Sequence, residues 1–515
     1  MFLERQVGEL CEAASGRRWS RSTLTQQLRR RVEYYKHVGL DCGDRVFIHF
    51  GNNLEVFADL LAIWHLGGCA IPIDTQLTAF EVETLAKAAA PRFSLHLGAM
   101  DSVLSAALGA LGVRLVDSLE AGKCPIPSQP EPSACALDQD ALVLFTSGST
   151  GNPKGVVHTH RSLRARWVTL HQSLGIEKYR RTLCLLPTYF AHGLVNNCLY
   201  PWLSGQDLVI APAGSADVVM RLGSLLDEHA ITFMSSVPPV WSLAVKASHP
   251  PRNGTLERVS CGSAPLSAHR WRQIQEWSGT KDVCNAYGIT ETGWVAGTTV
   301  GEFEPEDGLI GVPWGAVIKI MKDGTTQQPP SLGEECPMGE EGFVWLNTPA
   351  LMKGYLGRDD LTRRVVSHGW FMTGDIGAID ARGWLYLRGR EREEINKGGT
   401  KVYPTDIEAV VERFAGATDV CCFAFEDDLY GQGVGMAVVL APRDDDNLRA
   451  LHAWMKQHLA AFQLPSRWYL LEAIPRTPRG KVNRSTVAAA CAERTPLDIS
   501  KSLRAGAPGA SISRG

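Results

Sequence analysis

The sequence carries almost no net charge, with a formal value of −3 at pH 7 over 515 residues. So balanced a chain lacks the excess of one sign that draws a protein to nucleic acid or to an anionic membrane surface. No apolar run approaches the length of a membrane span. Behind Met1-Phe2-Leu3-Glu4-Arg5 there is no apolar stretch of the kind a secretory signal uses, so a cytoplasmic protein is expected. Cysteine is not scarce, at 13, but the number is odd and no Cys-x-x-Cys pair is matched by a histidine pair. Cys69, Cys184, Cys261, Cys284, Cys421 and Cys422 lie in apolar stretches and read as buried, reduced thiols, not as a disulfide or zinc framework. No internal repeat is evident.

What is present is the composition of a soluble globular chain, 44% hydrophobic and 21% charged. Its length exceeds one ordinary core, so at least two domains are expected. Leu24, Leu28, Val32 and Tyr35 recur at helical spacing and predict an amphipathic helix over 20–40. Val46–Phe50 and Ala70–Ile73 read as strands flanking a buried helix that contains Leu60–Trp64 and ends at Gly67-Gly68. Further near-continuous apolar strands, Thr182–Leu186, Asp207–Ala211, Ile231–Ser235 and Arg258–Cys261, alternate with helical patterns. That is how a parallel sheet covered on both faces reads. Residues 122–138 are proline-rich and read as an exposed connector. The character changes at Gly389-Arg390. The charged run Arg390-Glu391-Arg392-Glu393-Glu394 precedes a short βαβ-like module, with helices over Thr405–Phe414 and Leu448–Leu459 and strands over Val420–Phe425 and Gly435–Leu440.

One loop stands out. The apolar strand Ala141–Phe145 runs into Thr146-Ser147-Gly148-Ser149-Thr150-Gly151-Asn152-Pro153-Lys154-Gly155. Glycines let the backbone approach a polyphosphate, hydroxyls and N–H groups donate to it, and Lys154 supplies charge. It is not a Walker A loop, because Lys154 follows Asn-Pro and precedes Gly155. Four more segments carry polar groups in glycine-rich or aromatic settings. They are Pro187-Thr188-Tyr189-Phe190-Ala191-His192-Gly193-Leu194, Cys261-Gly262-Ser263-Ala264-Pro265-Leu266, Asn285-Ala286-Tyr287-Gly288-Ile289-Thr290-Glu291-Thr292-Gly293, and Phe371-Met372-Thr373-Gly374-Asp375. A last one, Pro475-Arg476-Thr477-Pro478-Arg479-Gly480-Lys481, sits near the C-terminal end.

In this order the segments resemble the motifs of the acyl-adenylate-forming superfamily, which includes acyl- and aryl-CoA synthetases, peptide-synthetase adenylation domains, luciferases and some amide synthetases. The resemblance covers about residues 19–486. It implies an α/β fold: a large N-terminal domain, 1–390, of layered sheets with a small β-barrel, and a mobile α+β C-terminal domain, 391–490. Residues 491–515 are expected to form a disordered tail, and no carrier domain is expected to follow.

The resemblance also implies roles. Thr146, Ser147, Gly148, Ser149, Thr150, Gly151 and Lys154 would cradle the phosphates of ATP. Gly262, Ser263, Ala264, Asn285, Tyr287 and Gly288 would border the nucleotide, with Tyr287 against the adenine. Thr290 would bind the α-phosphate and Glu291 would hold Mg²⁺. Asp375 and Arg390 would take the ribose. Lys481 would bridge the attacking carboxylate and the α-phosphate, where charge develops in the transition state. The acid would lie among His192, Gly193, Gly262, Gly288, Gly293 and Trp294. Peptide-synthetase domains for α-amino acids place an aspartate in this pocket, and none is seen here. A buried ammonium without a counter-charge is costly, so an aryl, cyclic or medium acyl acid is expected instead. The acceptor would be a thiol of CoA or pantetheine, favoured by the synthetase-like His192 motif, or an amine, giving an amide as in coronafacate-ligase-like enzymes.

The chain departs from the family pattern at the expected hinge, where Arg392 stands in place of the usual Asp or Lys. A residue that must rotate between an adenylation and a transfer pose needs a free φ, and proline fixes φ. Arg392→Pro is therefore expected to slow formation of the final product more than acid-dependent pyrophosphate release. The check is the two rates measured side by side, and equal slowing would remove Arg392 from the hinge.

Overall fold

The computed structural model describes residues 7–127, 133–146, 153–298, 303–322, 330, 333–397, 400–427, 430–477 and 481–497. The first helix, Arg21–His37, starts where Ser20 accepts from the Thr23 amide, and it buries Leu24, Leu28, Val32 and Tyr35 as their spacing predicts. Its buried face also holds Arg31, which a polar count would put outside. Arg31 Nε lies 2.6 Å from Asp59 Oδ1 on the helix Leu54–His65. Tyr35 and Ser118 donate to the same carboxylate at 2.7 and 2.6 Å. Three helices are thus tied at one buried charge.

Two sheets form the large part of the molecule. One has seven strands, and its centre, Asp140–Thr146, Cys69–Pro72, Arg45–Ile48, Phe93–His96 and Arg114–Asp117, is parallel. Lys154–Thr159 then pairs antiparallel with Asp140–Thr146, so the phosphate-loop segment is the connection between two adjacent strands. The other sheet has 14 strands. Its parallel centre is Asp207–Ile210, Arg181–Cys184, Phe233–Ser236, Arg258–Gly262 and Val283–Ile289. Crossing helices cover these strands, which is why they read as unbroken apolar runs.

The expected small barrel is not there in closed form. Gly293–Gly297, Leu309–Pro313, Leu385–Arg390, Trp370–Ile379, Gly342–Asn347 and Val317–Met321 follow one another antiparallel and extend the large sheet. Among the described residues Val317–Met321 has one strand partner within that path; its other side meets only a short bridge, Met321 with Glu335, where the Cys336 amide donates to the Ile320 carbonyl at 2.8 Å, so the path of strands does not close onto itself.

Past Arg390 a separate five-stranded sheet begins at Ile395–Lys397. The βαβ-like reading needs correction here. Ala417–Asp427 and Gly431–Leu440 are an antiparallel hairpin, because a connection of only a few residues cannot carry a parallel crossover. The parallel pair is instead Gly431–Leu440 with Arg467–Leu470, joined through the helix Asp445–His458. The expected tail is described only at its start. Arg484–Ala492 is a helix that buries Cys491, and the Leu497 amide donates to the Trp468 carbonyl at 2.8 Å. Residues 498–515 lie outside the described residues. The described cysteines are all free thiols, and the six named above are buried. Among the described residues no helix is long and apolar enough to cross a membrane.

Removing one partner of a buried, multiply hydrogen-bonded ion pair leaves the other charge stranded, at about 3–5 kcal/mol. Asp59→Ala, which strands Arg31, is expected to lose stability in that range. Urea unfolding of the variant beside the parent chain is the check.

Candidate functional site

The site is built at the carboxyl ends of the parallel strands, where open α/β sheets bind ligands. Gly262 ends one strand, and Ser263 follows it with φ at 66°. The neighbouring strand Val283–Ile289 and the antiparallel Gly293–Gly297 form a hairpin. Thr290 and Glu291 occupy its turn, half-buried, with the Thr292 amide donating to the Ile289 carbonyl at 3.1 Å. The turn is held from behind by His158 Nε2, 2.8 Å from the Thr290 carbonyl. Glycine is required twice in this hairpin. A Cβ at Gly288 would meet the Gly293 carbonyl oxygen at 2.1 Å, and Gly293 itself has φ at 67°. A Cβ added at Gly262 or Gly193 would likewise run into backbone, 2.4 and 2.3 Å from the carbonyl oxygens of Ala286 and Pro187.

Asp375 lies on the strand Trp370–Ile379, in register with Arg390 on Leu385–Arg390. Arg390 Nε is 2.9 Å from Asp375 Oδ1, and Tyr287 donates to Asp375 Oδ2 at 2.5 Å. Burial pushes the Asp375 carboxyl up from its ordinary value, and Arg390 opposes that rise. Tyr287 thus joins a strand-paired Asp375 and Arg390 from 88 positions before Asp375, and the three meet as one polar cluster. Glu291 accepts from the Tyr355 hydroxyl at 2.7 Å, and Lys154 Nζ stands 5.5 Å from the centroid of the same ring. Tyr355 therefore links the phosphate-loop lysine to the carboxylate of the turn. Thr146 Oγ1 donates to the Lys154 carbonyl at 3.5 Å. Ser147, Gly148, Ser149, Thr150 and Gly151 lie outside the described residues.

His192 begins a π-helical segment, His192–Leu199, which is buried throughout. This rare geometry recurs at functional sites. Its Nδ1 is 2.9 Å from Ser263 Oγ and its Nε2 is 2.5 Å from Ser235 Oγ. Its ring lies 5.1 Å from that of Trp294. Burial, helped by the charge of Lys481, brings the His192 pKa down to about 3, so the ring is neutral at physiological pH. Both ring nitrogens face hydroxyls, which serve as donor or acceptor as a neutral ring requires.

Lys481 reaches this pocket from the C-terminal part, its Nζ 5.4 Å from the Phe190 ring centroid. Its loop is pinned by Thr477, whose amide donates to the Lys481 carbonyl at 2.8 Å and whose hydroxyl accepts from the Lys481 amide at 3.2 Å. Ser267 Oγ donates to Glu412 Oε2 at 2.5 Å across the same junction. Arg392 lies in a short 3₁₀ turn, Glu391–Glu393, directly after Arg390. Glu393 is engaged by Arg484 at 3.1 Å and Glu394 by Lys401 at 3.3 Å.

A magnesium ion fits this donor set as a companion of phosphate. Among the described residues no group of three or more His, Cys, Asp or Glu could hold a metal. One carboxylate, Glu291, stands beside the phosphate-loop lysine, and Mg²⁺ typically takes one or two carboxylates, substrate phosphates and water.

The chain matches the model of the AMP-binding enzyme family over residues 4–356 and that of the AMP-binding enzyme C-terminal domain over residues 406–481. It belongs to this family. It is 30% identical over 505 residues to the fatty acid–[acyl-carrier-protein] ligase ScoC of Streptomyces coeruleorubidus, covering 92% of this chain and 91% of the relative. It is 29% identical over 472 residues to the oxalate–CoA ligase of Arabidopsis thaliana, covering 87% and 89%. The fold is similar to that of the anthranilate CoA ligase AuaEII in complex with anthranoyl-AMP, with a TM-score of 0.85, 21% identity, and coverage of 95% and 96%.

Sequence reasoning missed Tyr355, Ser235, His158 and Arg166 around this site. Gly354-Tyr355 follows Lys353 without a periodic pattern, and Ser235 and His158 sit inside apolar strands. None carries a local signal, since each matters through a partner far along the chain.

His192, His158 and His160 are all held neutral by burial, the last two with pKa lowered to about 4. The unfolded chain binds protons on these rings below about pH 6.5 and the folded chain does not. Stability is therefore expected to fall as pH drops from about 6.5 toward 4, by up to about 1.4 kcal/mol per pH unit for each ring. Unfolding free energies at pH 7 and pH 5 test this, and His160→Gln should reduce the difference.

Proposed function

We propose that this protein activates a carboxylic acid with ATP, forming an acyl-AMP and pyrophosphate, and then transfers the acyl group to a thiol with release of AMP. One observation carries the reading. Lys481 from the C-terminal part stands over the Phe190–His192 pocket, on the same junction as the Asp375–Tyr287–Arg390 cluster. An acid in the pocket and a ribose on that cluster would bring the carboxylate and the α-phosphate together beneath the lysine. Lys481 would then neutralise charge that develops as the carboxylate oxygen bonds to the α-phosphorus and the bond to pyrophosphate breaks. Thr290 would bind the α-phosphate, Lys154 and the loop at 146–151 the outer phosphates, and Tyr287 the adenine. Glu291 would hold Mg²⁺, which supplies charge neutralisation on the leaving pyrophosphate when bound.

Two features of the junction support a division into a domain of residues 1–390 and a second of 391–490. The sheet changes at Ile395, and Arg392 lies in a turn between the two. Rotation at Arg392 would withdraw Lys481 and admit the second nucleophile. A thiol acceptor is supported by the relatives, which are named as ligases of CoA and of an acyl-carrier protein. The acyl carbon then bonds to sulfur and the bond to AMP breaks. The many reduced thiols support a cytoplasmic setting.

Loss of one transition-state donor of this kind costs on the order of a hundredfold or more in rate. Lys481→Ala is expected to lower acid-dependent pyrophosphate release by that factor while ATP still binds. Parent-like release by the variant, measured with an acid panel, would overturn the assignment.

A further inference from the structure

Arg166 is a buried charge beside the pocket to which the reaction above gives no task. It lies on the helix His160–Leu174 and is only 3% exposed. Nη1 donates to the Trp294 carbonyl. Nε and Nη2 are buried and have no hydrogen-bond partner among the described residues. Among the described residues no carboxylate pairs with it; its electrostatic effect falls on His158, whose pKa it helps to lower. Its location is specific. A Cβ added at Gly293 would stand 2.6 Å from Arg166 Nε and 3.2 Å from Asn196 Oδ1. Arg166 therefore lies against Gly293 and Trp294, and the Trp294 ring in turn packs edge-on against that of His192, 5.1 Å between centroids.

Chemistry selects what would complete it. A guanidinium taken out of water without a counter-charge is destabilising by several kcal/mol, and burial already lowers this one to about 9. The two open donors are also a particular pair. Nε–H and the Nη2–H on the same side point in parallel and form the side-on fork that grips both oxygens of a carboxylate. The third nitrogen, Nη1, is the one engaged by the Trp294 carbonyl, which fixes the plane of the fork. The glycine at 293 leaves room for the guanidinium there.

We propose that the acid activated by this enzyme is a dicarboxylic acid, whose second carboxylate is held side-on by Nε and Nη2 of Arg166 while the first is adenylated. This rests on the adenylation reading above and narrows its substrate class. Arg166 acts on specificity; it does not take part in bond making. The same charge repels an α-ammonium, in keeping with the missing pocket aspartate.

The test is acid-dependent pyrophosphate release from matched pairs: dicarboxylic acids of graded chain length, aliphatic and aromatic, each beside its monomethyl ester. In the parent chain at least one diacid is expected to exceed its ester in kcat/KM by between about tenfold and a hundredfold, the worth of a charge-assisted fork. Arg166→Met should collapse that ratio toward one with KM for ATP unchanged, and Arg166→Lys, which keeps the charge but loses the fork, should fall between. Because Arg166→Met removes a stranded buried charge, its melting temperature without ligand is expected to equal or exceed that of the parent, and a diacid should raise melting in the parent alone. Esters used as well as every diacid by the parent would overturn the proposal, as would a ratio that survives Arg166→Met, or survives Arg166→Lys undiminished should the methionine variant not fold. Release of no pyrophosphate with any acid would instead remove the adenylation reading and this inference with it.

Discussion

The ion pair of Asp375 with Arg390 is the constraint around which the site is arranged. It is set by strand register, since the two residues are directly opposed on neighbouring antiparallel strands. It is completed by Tyr287, which comes from the edge of the parallel part of the same sheet. A carboxylate this deeply buried is acceptable only where charge and hydrogen bonds compensate it. The three residues therefore fix one another. The polypeptide leaves this cluster at Arg390 and turns at once through Arg392, so the ribose anchor and the pivot proposed above would adjoin. Movement of the C-terminal part would be transmitted to Lys481 without disturbing the cradle beneath it.

The neutral state of His192 follows from the same economy of buried charge. His192 is placed on a π-helical turn, between Ser263 and Ser235 and against Trp294, and among the described residues no carboxylate pairs with it to stabilise an imidazolium. Its ring is thereby kept neutral, with the charge of Lys481 adding to the effect of burial. Arg166 is the exception in this pocket. It is buried, and among the described residues only one of its three nitrogens, Nη1, has a hydrogen-bond partner. A folded chain tolerates such a group most readily where a ligand supplies the missing partner, which is why substrate charge is the natural reading of it.

Much of the architecture was legible in the chain. Leu24, Leu28, Val32 and Tyr35 mark a helix because burial on one face enforces a 3.6-residue period. The runs around Ala141–Phe145 and Arg258–Cys261 mark covered parallel strands because both faces must be apolar. Arg31 escaped the pattern, since its partner Asp59 lies on another helix and only their pairing permits burial. The hairpin of Ala417–Asp427 with Gly431–Leu440 escaped too, because apolar content does not distinguish parallel from antiparallel neighbours.

By itself the sequence determined the motifs, their order and their chemistry: the hydroxyl- and glycine-rich loop ending at Lys154, the Thr290–Glu291 turn, Asp375, Arg390 and Lys481. These are local, because each needs a particular residue type on a particular turn. Tertiary structure alone decided which of them meet, and what else joins them. Tyr355 bridges Glu291 and Lys154, Ser235 holds His192, and Arg166 lies open against Gly293, each across more than 40 residues of chain. That the strand path ending at Val317–Met321 does not close was likewise decided by pairing. Contacts of that kind depend on how sheets and helices stack, and stacking is fixed by the sum of burial over the whole core, which no single segment encodes.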